Sequence, residues 1–330
     1  MLGFLGAHPV LCLLLLSPGI PEYVSGSSPF NAIILKPVMF AFQLLANLGL
    51  YGPGVLLIRE ARVRWSKGWG SVLLLGAAYG ILEEGIALST LYNPKASPVG
   101  QLGVYGHWLG VNWVWVAGIL PVHMIFSISL PILLLGLAAP ETEGKVLLSK
   151  RGVRAAFLIL GLDVSGLFLL VTRGEGFWMG WGDFIFSFIA IGLLVLVAYK
   201  APRGLLTARP GPPRLRPLWM GAVGALFYLG VLLVEGVGRS AGVPASADFV
   251  ALIVYEGLFL VFVLGVIGTS GNRRNMLAFS FGLLVPVATI GIAAELALPL
   301  TLLPDLAALL FFVSLWREPD FSYAAQGQQA

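Results

Sequence analysis

The chain has 330 residues, of which 58% are hydrophobic and 11% charged, with a net charge of +4 and a mean hydropathy of +0.91. A soluble globular domain carries about a quarter charged residues, so that class is excluded, and no polar stretch here is long enough to form one. The lone Cys12 excludes an internal disulfide and a thiolate metal cluster, and the basic residues lie beside apolar runs, which reads as membrane topology rather than nucleic-acid binding.

Apolar runs of about 20 residues recur along the chain, which predicts an all-α, polytopic transmembrane bundle of about ten spans (nine to eleven). The first, 2–20, lacks a basic leader and has no lipoprotein box before Cys12, so it reads as a retained span. Glu22 to Pro29 reads as a turn-forming loop. The second span, 31–58, carries Tyr51-Gly52-Pro53-Gly54, which predicts a helix break, followed by a basic interfacial segment at 59–65. The third, 69–92, holds Glu83 and Glu84. The fourth, 112–138, holds Pro121, His123 and Pro131. Six further spans are expected at 154–172, 180–200, 218–238, 248–268, 276–297 and 300–316. A Pro/Arg-rich linker, 201–217, divides a first bundle, 1–200, from a second, 218–330, with a short polar tail.

With the amino terminus inside, basic residues of 59–67, 145–154, 200–216, 273–274 and 317 fall on the inner face, and the outer face keeps only Lys36, Lys95, Arg173 and Arg239. The positive-inside rule therefore places both termini in the cytoplasm of a cell-membrane protein whose partner is the lipid bilayer.

Two adjacent carboxylates in a spanning helix are costly to bury and are functional candidates by default. Glu84 stacks over Gly80 and Gly76, a ridge for close helix packing, and Glu83 stacks over Tyr79, whose hydroxyl is placed to steady it. Counted from the span ends at 1.5 Å per residue, Glu83 sits roughly 21 Å from the inner face and His123 roughly 16 Å from the outer one. The two depths differ by roughly 7 Å, a little over one helical turn, in a core about 30 Å thick. Antiparallel neighbours can bring such groups together. Asn112, His123 and Ser127 share a face by helical spacing, and Pro121 frees the carbonyl of Ala117 below the histidine. Glu83, Glu84 and His123 are thus the candidate catalytic set, with Tyr79, Asn112, Ser127, His107 and Glu256 as candidate binding residues. General acid–base chemistry with Glu83 as base requires no cofactor, while a divalent metal at Glu83, Glu84 and His123 stays open.

Residues 77–87 and the stretch around His123 resemble the start of the CAAX-protease and bacteriocin-processing (CPBP) family of intramembrane glutamate proteases. In that family an E-E-x-x-x-R motif precedes F-x-x-x-H and a further His. Leu88 stands at the Arg position, Ile119 at the Phe position, and no His follows His123. The resemblance implies an intramembrane hydrolase acting on a membrane peptide or lipid-linked substrate, with Glu83 activating water, Glu84 as its partner and His123 as the second motif's histidine. Over residues 20–140 the chain also resembles an uncharacterised prokaryotic multi-pass membrane protein family. That resemblance rests on Glu22 with Ser25-Gly26-Ser27-Ser28-Pro29, Tyr51 to Glu60, Glu83-Glu84, Tyr105-Gly106-His107-Trp108, Asn112-Trp113 and His123. It implies that the first four spans form the functional unit. A proton- or cation-coupled transporter and a structural membrane subunit are the alternatives.

Overall fold

The computed structural model describes residues 6–206, 215–267, 272–295, 300 and 302–318. Residues 207–214 of the expected linker and all of the polar tail beyond 318 lie outside them. The fold is all-α apart from one two-residue ribbon that pairs His107 with Asn112 and Trp108 with Val111. The helices are α1 Pro9–Pro18, α2 Pro37–Arg64, α3 Trp69–Gly80, α4 Trp113–Val122, α5 Leu130–Ala138, α6 Lys150–Glu175, α7 Trp181–Lys200, α8 Pro217–Ser240, α9 Ala245–Ile267, α10 Arg273–Glu295 and α11 Leu302–Trp316.

Among the described residues, eight helical segments are long and apolar enough to cross a membrane, and two further apolar helices are shorter. The two that fall short are the first and the last, Pro9–Val24 and Leu302–Trp316. At 1.5 Å per residue they reach only about 22–24 Å, against a hydrocarbon core of about 30 Å. The predicted break at Tyr51-Gly52-Pro53-Gly54 is corrected, because α2 runs unbroken through Pro53. The basic segment behind it is the end of the same helix, where Arg59 and Glu60 are buried. Arg59 Nη1 pairs with Glu60 Oε1 at 3.1 Å, and its Nη2 donates to the carbonyl of Thr142 at 2.6 Å.

Three helices are interrupted or extended by π turns, in which an N–H bonds the carbonyl five residues back. They are Gly19–Val24 after α1, Ile81–Ala87 after α3, and His123–Ser129 between α4 and α5. The Leu88 N–H on the Glu83 carbonyl, at 2.9 Å, shows this spacing. Two of the three adjoin prolines that lack an N–H for the ordinary ladder, Pro18 with Pro21 in the first and Pro121 before the third.

α3 is an inner helix, with 72% of its most apolar window buried, whereas α6, α7 and α9 bury only 22%, 11% and 11%. They present residues such as Leu158, Leu162, Phe186, Leu258 and Val261 outward. The α4–α5 helix separates two apolar cores. Phe126, Leu130 and Leu134 pack with Phe227, Leu277 and Phe312 on one side, and Ile128, Ile132 and Leu135 pack with Leu13, Val55 and Val72 on the other. The ends of the bundle are tied by side-chain hydrogen bonds. Lys67 Nζ reaches Ala201 O at 2.6 Å and Arg64 Nη2 reaches Leu148 O at 2.5 Å at one end. At the other end, Asn93 Nδ2 reaches Glu175 Oε2 and Tyr105 OH reaches Val243 O, both at 2.7 Å.

The glycine ridge of α3 lets the third π turn come close. A Cβ on Gly76 would stand 2.9 Å from the Cα of Met124, and one on Gly80 would stand 3.2 Å from the Cβ of His123. Backbone cannot swing aside as a side-chain tip can, so Gly76→Val is expected to cost about 1–3 kcal/mol or more. Thermal unfolding in detergent checks it, and an unchanged melting temperature would contradict this packing.

Candidate functional site

The second and third π turns face one another and bring both carboxylates onto one imidazole. His123 Nε2 lies 2.9 Å from Glu84 Oε1, and Nδ1 lies 3.1 Å from Glu83 Oε2. All three residues are nearly inaccessible, with 1% exposure for Glu83, 5% for Glu84 and 3% for His123. Ser127 Oγ, one turn along, is 3.1 Å from Nδ1. A buried carboxylate must be paired or hydrogen-bonded, and the two meet that need unequally.

Glu84 is fully engaged. Besides His123, it accepts from the Thr90 hydroxyl on Oε2, and the Trp115 indole N–H points at the same oxygen from 3.4 Å and at Thr90 Oγ1 from 3.2 Å. Glu83 keeps acceptor capacity, since its Oε2 has no hydrogen-bond partner, and the 3.1 Å contact with Nδ1 is an ion-pair approach off the N–H direction. The Tyr79 hydroxyl is buried and makes no hydrogen bond of ordinary geometry among the described residues. Because an ionised Glu84 only accepts, Nε2 carries a proton. Nδ1 has Ser127 Oγ as its hydrogen-bond partner and Glu83 Oε2 as an ionisable neighbour, both at 3.1 Å. This is an acid–base pair oriented by a third group, which general acid–base catalysis requires.

One atom each from Glu83, Glu84 and His123 lie within 4.8 Å of one another, a set with the donor chemistry for a divalent ion. The carboxylates, however, address opposite nitrogens of the ring, and a single ion takes only one of them.

The remaining candidates are placed variously. Asn112 is not on the His123 face. It is the residue before α4, and its Nδ2 donates to the carbonyls of Thr90 at 2.6 Å and Asn93 at 3.0 Å, while its Oδ1 meets His107 Nδ1 at 2.7 Å. Asn112 and His107 thus brace the loop that carries Thr90, one step removed from Glu84. Glu256 is not brought to the site. Its helix, α9, packs against α8 and α4, and among the described residues no hydrogen bond or ion pair joins it to Glu83, Glu84 or His123.

Sequence reasoning missed Thr90, Trp115, Tyr51 and the part played by Glu22. Tyr51 and Tyr79 flank the imidazole, with ring centroids 6.4 Å and 6.2 Å away and Tyr51 nearly parallel at 26°. Glu22 is on the first π turn rather than in a loop. It accepts from Tyr51 OH at 2.5 Å and from Ser28 Oγ at 2.6 Å. Ser17 Oγ donates to Ser127 O at 2.6 Å and approaches Tyr51 O at 3.3 Å, tying α1, α2 and the third π turn together. The only advance signal for Glu22 and Tyr51 was their place in the multi-pass resemblance.

Fold and site together define a multi-pass helical membrane protein with a buried Glu-Glu-His group. No protein-family model, curated protein or solved structure matches the chain.

Proposed function

We propose that the protein is an intramembrane hydrolase in which Glu83 is the general base, Glu84 orients the imidazole, and His123 exchanges a proton with Glu83. The observation that carries the reading is the inequality of the two carboxylates. Glu84 has its oxygens committed to His123, Thr90 and Trp115, while Glu83 retains a buried, unbonded oxygen able to accept a proton from water. The resemblance to the CPBP proteases supports the same assignment, and the expected substrate class is a membrane peptide or lipid-linked molecule. In the reaction, Glu83 removes a proton from water as the oxygen attacks the substrate carbonyl, and the protonated Glu83–His123 pair returns it to the leaving group. The Tyr79 hydroxyl, lacking an aligned partner, is placed to donate to the oxygen that becomes negative.

The test is cleavage of a library of membrane-spanning peptides by the purified protein in liposomes, with proton uptake measured in the same vesicles. Cleavage that disappears in Glu83→Gln supports the hydrolase. Glu83-dependent uptake without cleavage overturns it in favour of a carrier.

The proposed orientation keeps both termini in the cytoplasm and the site nearer the outer face. With Cys12 replaced, single cysteines at the exposed Lys95 and Lys145 distinguish the two faces. An impermeant thiol reagent outside sealed cells is expected to modify position 95 and spare position 145, and the reverse pattern inverts the topology.

A further inference from the structure

Hydrolysis or proton exchange at Glu83 needs water, and the group lies at most 5% exposed. From Tyr51, whose ring stacks on the imidazole, hydrogen-bonded side chains lead out through Glu22 and Ser28 to Gln43 and Asn47. Tyr51 stacks on His123 and donates its hydroxyl proton to Glu22 Oε1 at 2.5 Å. The other oxygen of Glu22 takes the Ser28 hydroxyl proton at 2.6 Å, and Ser28 Oγ in turn accepts from Gln43 Nε2 at 2.7 Å and Asn47 Nδ2 at 3.0 Å. Gln43 and Asn47 are half-buried, and Ser27 beyond them is exposed. Glu22 is also close enough to Glu83 and His123 to feel their charges.

The direction of every bond in this series is fixed. The amides can only donate through their nitrogens, Ser28 has one proton and gives it to Glu22, and Glu22 accepts from both sides. Gln43 and Asn47 share the first half of α2 with Phe42 and Leu45, which are turned outward at 51% and 69% exposure. The series ends on a carboxylate with no Lys or Arg bonded to it among the described residues.

We infer that Gln43, Asn47, Ser28, Glu22 and Tyr51 line the route by which water and small cations reach the Glu83–His123–Glu84 group, with Tyr51 held by Glu22 as the innermost element. The inference rests on the reading of that group as a water-using acid–base site. Its test does not depend on activity. An ionised Glu22 makes the route favour cationic solutes over anionic ones.

In a Cys12→Ala background, single cysteines at Asn47, Gln43 and the lipid-facing Leu45 are treated with cationic and anionic methanethiosulfonate reagents that do not enter lipid. Positions 47 and 43 are expected to react at least tenfold faster than position 45, and faster with the cationic reagent. Adding Glu22→Gln is expected to reduce the cationic preference severalfold. Equal rates at 43, 45 and 47, or no modification at 43 and 47, would overturn the route. A charge preference unaltered by Glu22→Gln would remove Glu22 from it. Loss of cleavage in Glu83→Gln alongside unreactive 43 and 47 would leave the hydrolase standing and this route rejected. The converse result would separate the two in the other direction.

Discussion

Glu83→Gln is expected to leave the folded protein as stable as the wild type, or slightly more so, while cleavage of membrane substrates falls by about 10²- to 10⁴-fold. The substitution keeps the volume of the side chain and removes only its charge and basicity. In the wild type, Oε2 of Glu83 is buried with no hydrogen-bond partner and makes a misaligned 3.1 Å approach to Nδ1. That is a poor return for holding a carboxylate at 1% exposure, and relieving it should not cost stability. Were Glu83 instead a structural ion-pair partner, removing its charge would strand the imidazole and cost about 3–5 kcal/mol. Thermal unfolding in detergent, measured beside liposome cleavage, separates the two cases without knowledge of the natural substrate. A strongly destabilised Glu83→Gln protein would sink the catalytic assignment.

The apolar runs, and with them the all-α membrane architecture, were readable from composition because lipid and core impose the same demand on every spanning residue. The meeting of Glu83 with His123 was only approachable, since counting from span ends put them roughly 7 Å apart in depth. The π turns close that gap in a way no residue pattern announces. An extra residue in a turn at Ile81–Ala87 and another at His123–Ser129 rotates the side chains that follow, and a phase computed at 3.6 residues per turn fails beyond it. Asn112 fails for a simpler reason. It precedes the first helical residue, Trp113, with ψ 71°, so helical spacing from it to His123 has no meaning. The supposed break at Pro53 is absent because packed neighbours hold α2 continuous through it, with Leu50, Tyr51 and Val55 all buried. Glu22 was hidden by its setting. Ser25-Gly26-Ser27-Ser28-Pro29 reads as loop, and nothing in that composition reveals that a Tyr from the next helix reaches back to the acid.

Glu84→Ala is expected to have the opposite profile from Glu83→Gln, with a loss of about 3–5 kcal/mol of stability. Three groups converge on this one carboxylate. His123 Nε2 donates to Oε1, and the Thr90 hydroxyl and Trp115 indole meet at Oε2. Truncation leaves each without that acceptor in surroundings where Ile86, Leu91 and Val114 are buried, and an orphaned donor costs its full desolvation. The loss extends beyond the pair, because Thr90 is also held through its carbonyl by Asn112 Nδ2 at 2.6 Å, so the brace at His107 and Asn112 loses its inner anchor. Glu84→Gln should fall between the two. Its single carbonyl oxygen can serve His123 or the Thr90–Trp115 side but not both, and its amide presents donors where donors already stand. The expected order of melting temperatures is therefore Glu83→Gln at or above wild type, then Glu84→Gln, then Glu84→Ala, with His123→Ala also well below wild type. Thr90→Val should reproduce part of the Glu84 defect, and combined with Glu84→Ala it should add less than the sum of the two, because they share one bond. If Glu84→Ala proves as stable as Glu83→Gln, or if Thr90→Val adds to it in full, the carboxylates do not divide the work as the geometry assigns it.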